Sequence, residues 1–366
     1  MADPASIERI RILVVRTDRV GDVILSTPVI QALSEAYPNS RIALMVREGV
    51  APLVAGLPGV ESVLIYDPLG KHRGASGFWR LVRELRKSGF RISVSLQSDR
   101  RVAAALFFAR IKTRVGPLSK PHSYLFYNRG LRQRRSHVEM HETDYCLQLL
   151  RRLGIRVRTR SVPTQVAISA AARADARAWL ASAFAAGDMA GGSRLIVIHP
   201  GMGGSALNWP ESHYLDLARA LLRDGHRIVV TAGPTEGRLH DKFRESLLPE
   251  FEGRIAFYGG AGVGPIDRLA GVLAESALVV APSTGPLHLA VALGRPVVTF
   301  YPPIRVQSAI RWGPYHPDGQ ASQVFVPEVY CGEDFECRGS KCNYFPCMRT
   351  IAVKEVHTKA TRALDA

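Results

Sequence analysis

The stretch ILVVRTDRVGDVILSTPVIQAL, Ile12 to Leu33, decides the fold. It begins inside a short apolar run, Ile10–Val15, whose β-branched residues read as a buried strand. A second run carries Val23, Ile24, Thr27, Ile30 and Leu33 at near-helical spacing and stops before Pro38. Residues 16–21 are therefore a strand-to-helix loop, and Asp22 stands at or near a helix N-terminus. An aspartate there is by default an N-cap, because its carboxylate accepts free amides of the first turn. This stretch by itself favours that role; any other must come from the rest of the chain.

Outward from it, the same grammar repeats. RIALMV (41–46), VESVLIYD (60–67) and RISVSLQ (91–97) are strand candidates. They alternate with helices near 51–57, 78–88 and 101–109, and a last helix, about 141–153, ends at Gly154. From Ser193 the alternation restarts with RLIVIHP, HRIVVTAG, RIAFYGG, ALVVAPS and RPVVTFYP as strands. An Ala-rich join over 161–192 holds one helix, about 170–184. Strand–helix alternation builds right-handed βαβ units on parallel sheets. We expect an α/β protein with two doubly wound, Rossmann-like domains, 1–170 and 190–345. A final helix in 346–366 is expected to return to the first domain. Two such domains would face each other across a cleft at the carboxyl ends of their strands, where ligands of such sheets bind.

Composition bounds the function. At 366 residues the chain exceeds the roughly 100–200 of one domain. No apolar run approaches the roughly 20 residues of a membrane span, and MADPASIERI has no signal-peptide character, so a soluble cytoplasmic protein is expected. The formal charge of +16 favours anionic partners, and much of it lies in RLVRELRKSGFR (80–91) and RGLRQRRSH (129–137). Neither run belongs to a nucleic-acid-binding motif, so nucleic acid is not expected; a solvated face, an anionic membrane surface or a phosphorylated acceptor would suit them. Cys331, Cys337, Cys342 and Cys347 cluster without the C-x-x-C knuckles of a zinc site, and are read as reduced thiols. No metal or cofactor is expected.

Three turns at strand ends in the second half point to a nucleotide diphosphate. PGMGGSALNWP brings Gly203, Gly204 and Ser205, whose backbone or hydroxyl can approach a ligand. In PSTGPLHLA, Ser283, Thr284, Gly285, Pro286 and His288 open a helix whose free N–H groups suit an anion. In GPTEG, Glu236 sits where an acidic residue takes ribose hydroxyls. A P-loop, a G-x-G-x-x-G after the first strand and a G-x-S-x-G elbow are all missing, which disfavours NTPases, dehydrogenases and esterases.

Several segments, in order, match a known pattern: RTDRVGDVILSTPVIQAL, LQSDRRVAAAL, HPGMGGSALNWP, TAGPTEG, STGPLHLAVALGRPVV and RWGPYHP. The chain resembles glycosyltransferase family 9, the ADP-heptose:lipopolysaccharide heptosyltransferases, over nearly its whole length. The resemblance implies a GT-B fold and metal-independent inversion at the anomeric carbon. It also implies a nucleotide-sugar donor, ADP-heptose, on the C-terminal domain and a phosphorylated lipid A or core acceptor on the N-terminal one. It makes Asp22 the general base, since a sugar hydroxyl is a poor nucleophile until a placed carboxylate takes its proton. Arg19, Arg80, Arg83 and Lys87 are expected on the acceptor side, with peripheral contact at the anionic inner membrane. Leu207 stands where members often carry Lys, with Arg305 or Arg311 as substitute cations, and Ser283 where some carry Asp. Both departures are on the donor side, so another sugar or acceptor stays open, as does a non-catalytic binder.

Overall fold

A computed structural model describes residues 10–184, 192–204, 206–260, 264–316, 322–331 and 336–365. Among them, twelve strands form two wholly parallel six-stranded sheets, each within its own compact unit. One unit runs up to Arg135 and resumes over Glu142–Ala167; the other takes Ser136–His141 and everything from Ile168.

In the first unit the chain order is β1 (Arg11–Val15), α1 (Val20–Ile24), α2 (Pro28–Ala36), β2 (Arg41–Val46), β3 (Val60–Ile65) and α3 (Gly74–Lys87). It continues with β4 (Ile92–Ser95), α4 (Arg100–Phe108), β5 (Thr113–Pro117), α5 (Pro121–Phe126), β6 (Arg129–Leu131) and α6 (Glu142–Leu149). The sheet order is β3-β2-β1-β4-β5-β6. Strand order reverses between β1 and β4, the switch point at whose carboxyl side ligands of such sheets sit. Leu13 and Val15 of β1 pack with Val102 and Leu106 of α4 in a closed apolar cluster.

The helix expected from Val23 is two helices. Pro28 lacks the N–H that would bond the Ile24 carbonyl four residues back, so α1 cannot run on into α2. Hydroxyls serve the break: Thr27 Oγ1 donates to the Ile24 carbonyl at 2.7 Å and Ser26 Oγ to that of Asp22 at 2.7 Å.

The second unit repeats the plan with α7 (Ala170–Ala183), β7 (Leu195–Ile198), α8 (Glu211–Arg223), β8 (Arg227–Ala232), α9 (Gly237–Phe251) and β9 (Ile255–Gly259). Then come α10 (Ile266–Glu275), β10 (Leu278–Val280), α11 (Gly285–Ala292), β11 (Val297–Phe300), α12 (Ala309–Trp312), β12 (Ser322–Phe325) and α13 (Val353–Asp365). The order β9-β8-β7-β10-β11-β12 is that of the first sheet, position for position, with the switch point between β7 and β10. Trp209 anchors its core, stacked on Phe300 at 4.4 Å between centroids.

The destination of α13 corrects the expectation that it returns to the first domain. Val356, Ala360 and Ala363 form its buried stripe and join the Trp209–Phe300 cluster. The helix packs on α8, and Trp209 Nε1 donates to the Ile351 carbonyl just before it, at 3.0 Å, fixing its entry on the second unit.

Candidate active site

In the first unit, the residues after β1 are organised by a side chain that sequence reasoning passed over. Arg16 is 2% exposed and distributes its guanidinium among acids: Nε donates to Asp18 Oδ1 at 2.8 Å, Nη2 to Asp22 Oδ1 at 2.6 Å and Nη1 to Glu142 Oε1 at 3.2 Å. A buried cation is tolerable only when its donors are used in this way. Arg135 Nη1 shares Glu142 Oε1 at 2.5 Å, so Glu142, buried on α6, ties both arginines together. The Asp22 side chain stays 18% exposed, and its Oδ2 has no hydrogen-bond partner among the described residues. Asp22 is thus a carboxylate oriented through one oxygen and accessible through the other.

The cap reading of Asp22 does not hold. The N-cap of α1 is Arg19, and Asp22 is the third residue of the helix, with its side chain turned to Arg16 rather than to a first-turn amide. A charge in that turn still complements the helix dipole. Nearby, burial pushes the Asp18 carboxyl up to about 6, with Arg16 opposing and Asp22 adding to the shift.

Arg19, the N-cap of α1 three residues before Asp22, is exposed. Arg80, Arg83 and Lys87 are elsewhere: they lie exposed along α3, which leaves the carboxyl edge of the sheet and runs back toward its amino edge. Fourteen residues at about 1.5 Å each carry Lys87 roughly 20 Å along that helix.

In the second unit the turns after β7, β8 and β10 carry the residues expected on the donor side. Glu236 braces two of them: Oε1 accepts the Gly203 amide at 3.0 Å and Oε2 that of Gly233 at 2.7 Å. A Cβ on Gly201 would fall 2.0 Å from Glu236 Oε2, so a side chain there would push the carboxylate off the amides it braces. Gly203 and Gly204 adopt φ of +55° and +70°, the left-handed region that glycine enters freely. Ser205 lies outside the described residues. A carboxylate has about four acceptor sites, so two amides leave Glu236 capacity for further donors.

Thr284 is the N-cap residue of α11, its hydroxyl donating to the Pro282 carbonyl at 3.1 Å, and Ser283, Gly285 and Pro286 are half-buried around it. His288 is buried, and desolvation followed by the proximity of His141 pushes it down to about 3. It is therefore neutral, a hydrogen-bonding ring rather than a counter-charge, and its Nδ1 has no partner among the described residues. His199 at the end of β7 is likewise neutral, pushed down to about 4 chiefly by burial, with Nδ1 2.9 Å from Thr231 Oγ1.

Leu207 packs partly buried on the core, and its amide donates to Gln307 Oε1 at 3.3 Å, which brings the Arg305 turn beside it. Leu207 also lines a cavity of about 400 Å³ together with Cys331, Cys337, Cys342 and Cys347. The described cysteines form no disulfide, and among the described residues no group of three or more His, Cys, Asp or Glu side chains could hold a metal ion. No described helix is long and apolar enough to cross a membrane.

Two parallel six-stranded units of one strand order, with glycine- and threonine-bearing turns at the second switch point, have the architecture of the GT-B fold. The chain belongs to glycosyltransferase family 9 (heptosyltransferase), whose model matches residues 78–342. A Haemophilus influenzae protein whose name goes no further than glycosyltransferase is 30% identical over 328 residues, 86% of this chain and 91% of that protein. Lipooligosaccharide heptosyltransferase 2 of the same organism is 25% identical, covering 81% of this chain and 84% of its own. The solved structure of the Escherichia coli ADP-heptose LPS heptosyltransferase II shares the fold at a TM-score of 0.76 and 19% identity, covering 97% of this chain and 98% of that one.

Proposed function

We propose that this glycosyltransferase moves heptose from ADP-heptose to the inner core of lipopolysaccharide, inverting the anomeric carbon without a metal. It would work in the cytoplasm, peripheral to the inner membrane. The observation that carries the reading is Asp22, a carboxylate fixed by Arg16 through Oδ1 with Oδ2 available. The acceptor hydroxyl oxygen attacks the anomeric carbon from the face opposite the diphosphate. Its proton passes to Asp22 as the new C–O bond forms. The bond to the diphosphate oxygen breaks, and its electron pair leaves on the nucleotide. The amides of Gly285, which opens α11, and of Gly204 would stabilise that charge, with Thr284 and the neutral His288 as hydrogen-bonding neighbours. Glu236 would accept the ribose hydroxyls with the capacity its two amides leave. Arg19 would contact phosphate on the acceptor.

A second reading keeps the chemistry and changes the sugar or acceptor. Leu207, an apolar side chain against the core where the family often has Lys, and Ser283 in place of Asp favour it. A donor screen decides: ADP-, GDP- and UDP-sugars are offered with core-truncated lipopolysaccharide, and the product linkage is read by mass spectrometry and NMR. Transfer from ADP-heptose alone supports the first reading; preference for a UDP-sugar overturns it.

A further inference from the structure

The first unit presents an aromatic surface that the transfer reaction does not use. Phe78 and Trp79 of α3 meet Phe108 of α4 at ring centroids of 6.1 and 5.5 Å; Phe107 joins Phe108 at 5.4 Å and reaches Phe126 of α5 at 5.8 Å. Trp79 is 50% exposed, Phe107 42% and Phe108 41%, and α5 adds Tyr124 at 59% and Leu125 at 74%. Large apolar side chains scattered singly over a surface need no explanation, but a connected set does.

Cations surround this surface. Between Arg73 and Arg132 the chain holds fourteen Lys and Arg against Glu84 and Asp99, most of its net charge. Helix α3 buries Gly77, Leu81, Val82 and Leu85 and turns Trp79, Arg80, Arg83, Arg86 and Lys87 outward. Tryptophan and tyrosine among basic residues on an amphipathic helix is the composition of interfacial binding: rings enter the headgroup layer while guanidinium groups meet lipid phosphates.

We propose that the α3–α4–α5 surface docks on an anionic phospholipid bilayer through Trp79, Phe107, Phe108, Tyr124 and Leu125, with the α3 cations engaging the headgroups. The proposal rests on the peripheral-membrane reading above and locates its contact. Ring geometry disfavours nucleic acid as occupant. The Arg101 guanidinium covers one face of Phe78 at 5.4 Å and that of Arg114 one face of Phe107 at 5.2 Å, and the Phe78–Phe108 and Phe107–Phe108 pairs are edge-on, so these phenylalanines offer bases no open row of stacking faces. A protein partner is disfavoured by the excess of one charge sign spread along a whole helix.

The test is sedimentation of the full chain with phosphatidylcholine vesicles and with mixed phosphatidylcholine–phosphatidylglycerol vesicles, at low and high salt. The wild type should bind the anionic vesicles, weaken with salt and keep a residual, salt-resistant part due to the rings. Trp79→Ser with Leu125→Ser should remove that salt-resistant part and weaken low-salt binding about tenfold or more, with cooperative unfolding retained because neither side chain belongs to the buried core. Tyr124→Ser with Phe108→Ser is the independent second variant. Charge reversal at Arg83 should cost about fivefold or more at low salt only.

If the wild type ignores all vesicles, the peripheral reading falls and the proposal with it. Where the wild type binds but both aromatic variants bind equally well, only this surface assignment is overturned. Equal binding to both vesicle types, tighter binding to short RNA, or self-association that the aromatic variants abolish also overturns it, the last in favour of a second copy of the chain.

Discussion

Asp22 is held by Arg16 through a single oxygen, Nη2 to Oδ1 at 2.6 Å, at the carboxyl end of the strand where the sheet order reverses. An ion pair through one oxygen constrains the carboxylate without using the second oxygen. This one fixes direction and leaves a lone pair available.

Asp22→Asn keeps size and the contact to Arg16 through the amide oxygen while removing the proton acceptor. Turnover should fall about 10²–10⁴-fold, with donor affinity within error of wild type. Steady-state kinetics beside calorimetric donor binding checks this, and a fully active variant would end the base assignment.

Arg16→Met should cost stability as well as rate. It takes one of two arginine partners from Glu142, 1% exposed, and leaves Asp18 and Asp22 without their shared cation. We expect a loss of about 3 kcal/mol in urea denaturation. Arg16→Lys keeps the charge but not the fork that reaches three acids, so it should recover much of the stability and little of the turnover.

Asp18 sets a pH dependence. Its carboxyl, raised to about 6 chiefly by burial, holds its proton more tightly folded than unfolded. Its contribution to stability is thus full below the ordinary value near 3.8 and is lost as pH rises through about 6. Asp18→Asn should leave the melting temperature near wild type at pH 4 and raise it at pH 7. A variant less stable at pH 7 would reverse the sign.

Glu236→Gln should loosen the donor turns. An amide can accept from only one of the Gly203 and Gly233 N–H groups, and its own NH₂ faces the other. Donor affinity should drop about tenfold, the weight of one charge-assisted hydrogen bond, with turnover at saturation changed less. Equal affinity would remove Glu236 from the donor side.

Leu207→Lys tests the missing cation. Half-buried beside the Arg305 turn, a lysine stem can follow the leucine path and bring its ammonium to the surface. Affinity for a nucleotide diphosphate should rise about tenfold. No gain would indicate that a cation already present, such as Arg305, does that work.

The sheets were legible where their strands are apolar and β-branched, as in RILVV and LIVI, because buried parallel strands need such runs. Strands β5, β6 and β12 were not. TRVGP of β5 carries Gly116 and Pro117, turn signals in any window, and RGL of β6 and SQVF of β12 are too short and polar to register. Asp22 was visible because it sits beside its strand; its partners were not, since Arg16 meets Glu142 across 126 residues and Gly203 meets Glu236 across 33. The stripe of α13 could be read from its spacing, whereas the surface that receives it depends on Trp209, far away in the chain.

The proline that splits the first helix reaches further than its own turn. Thr27, whose hydroxyl serves the carbonyl that Pro28 leaves, also accepts the amide of Gln165 at 2.8 Å. Two residues on, the Ala167 amide bonds the Leu53 carbonyl at 2.8 Å, and there the first unit ends. The point at which the chain departs from its first sheet is thus pinned to a helix break 138 residues earlier. In amide hydrogen exchange, Gln165 and Ala167 should be protected together, and Thr27→Val should release Gln165 first, lengthening the tether by unzipping it from the sheet rather than by adding residues.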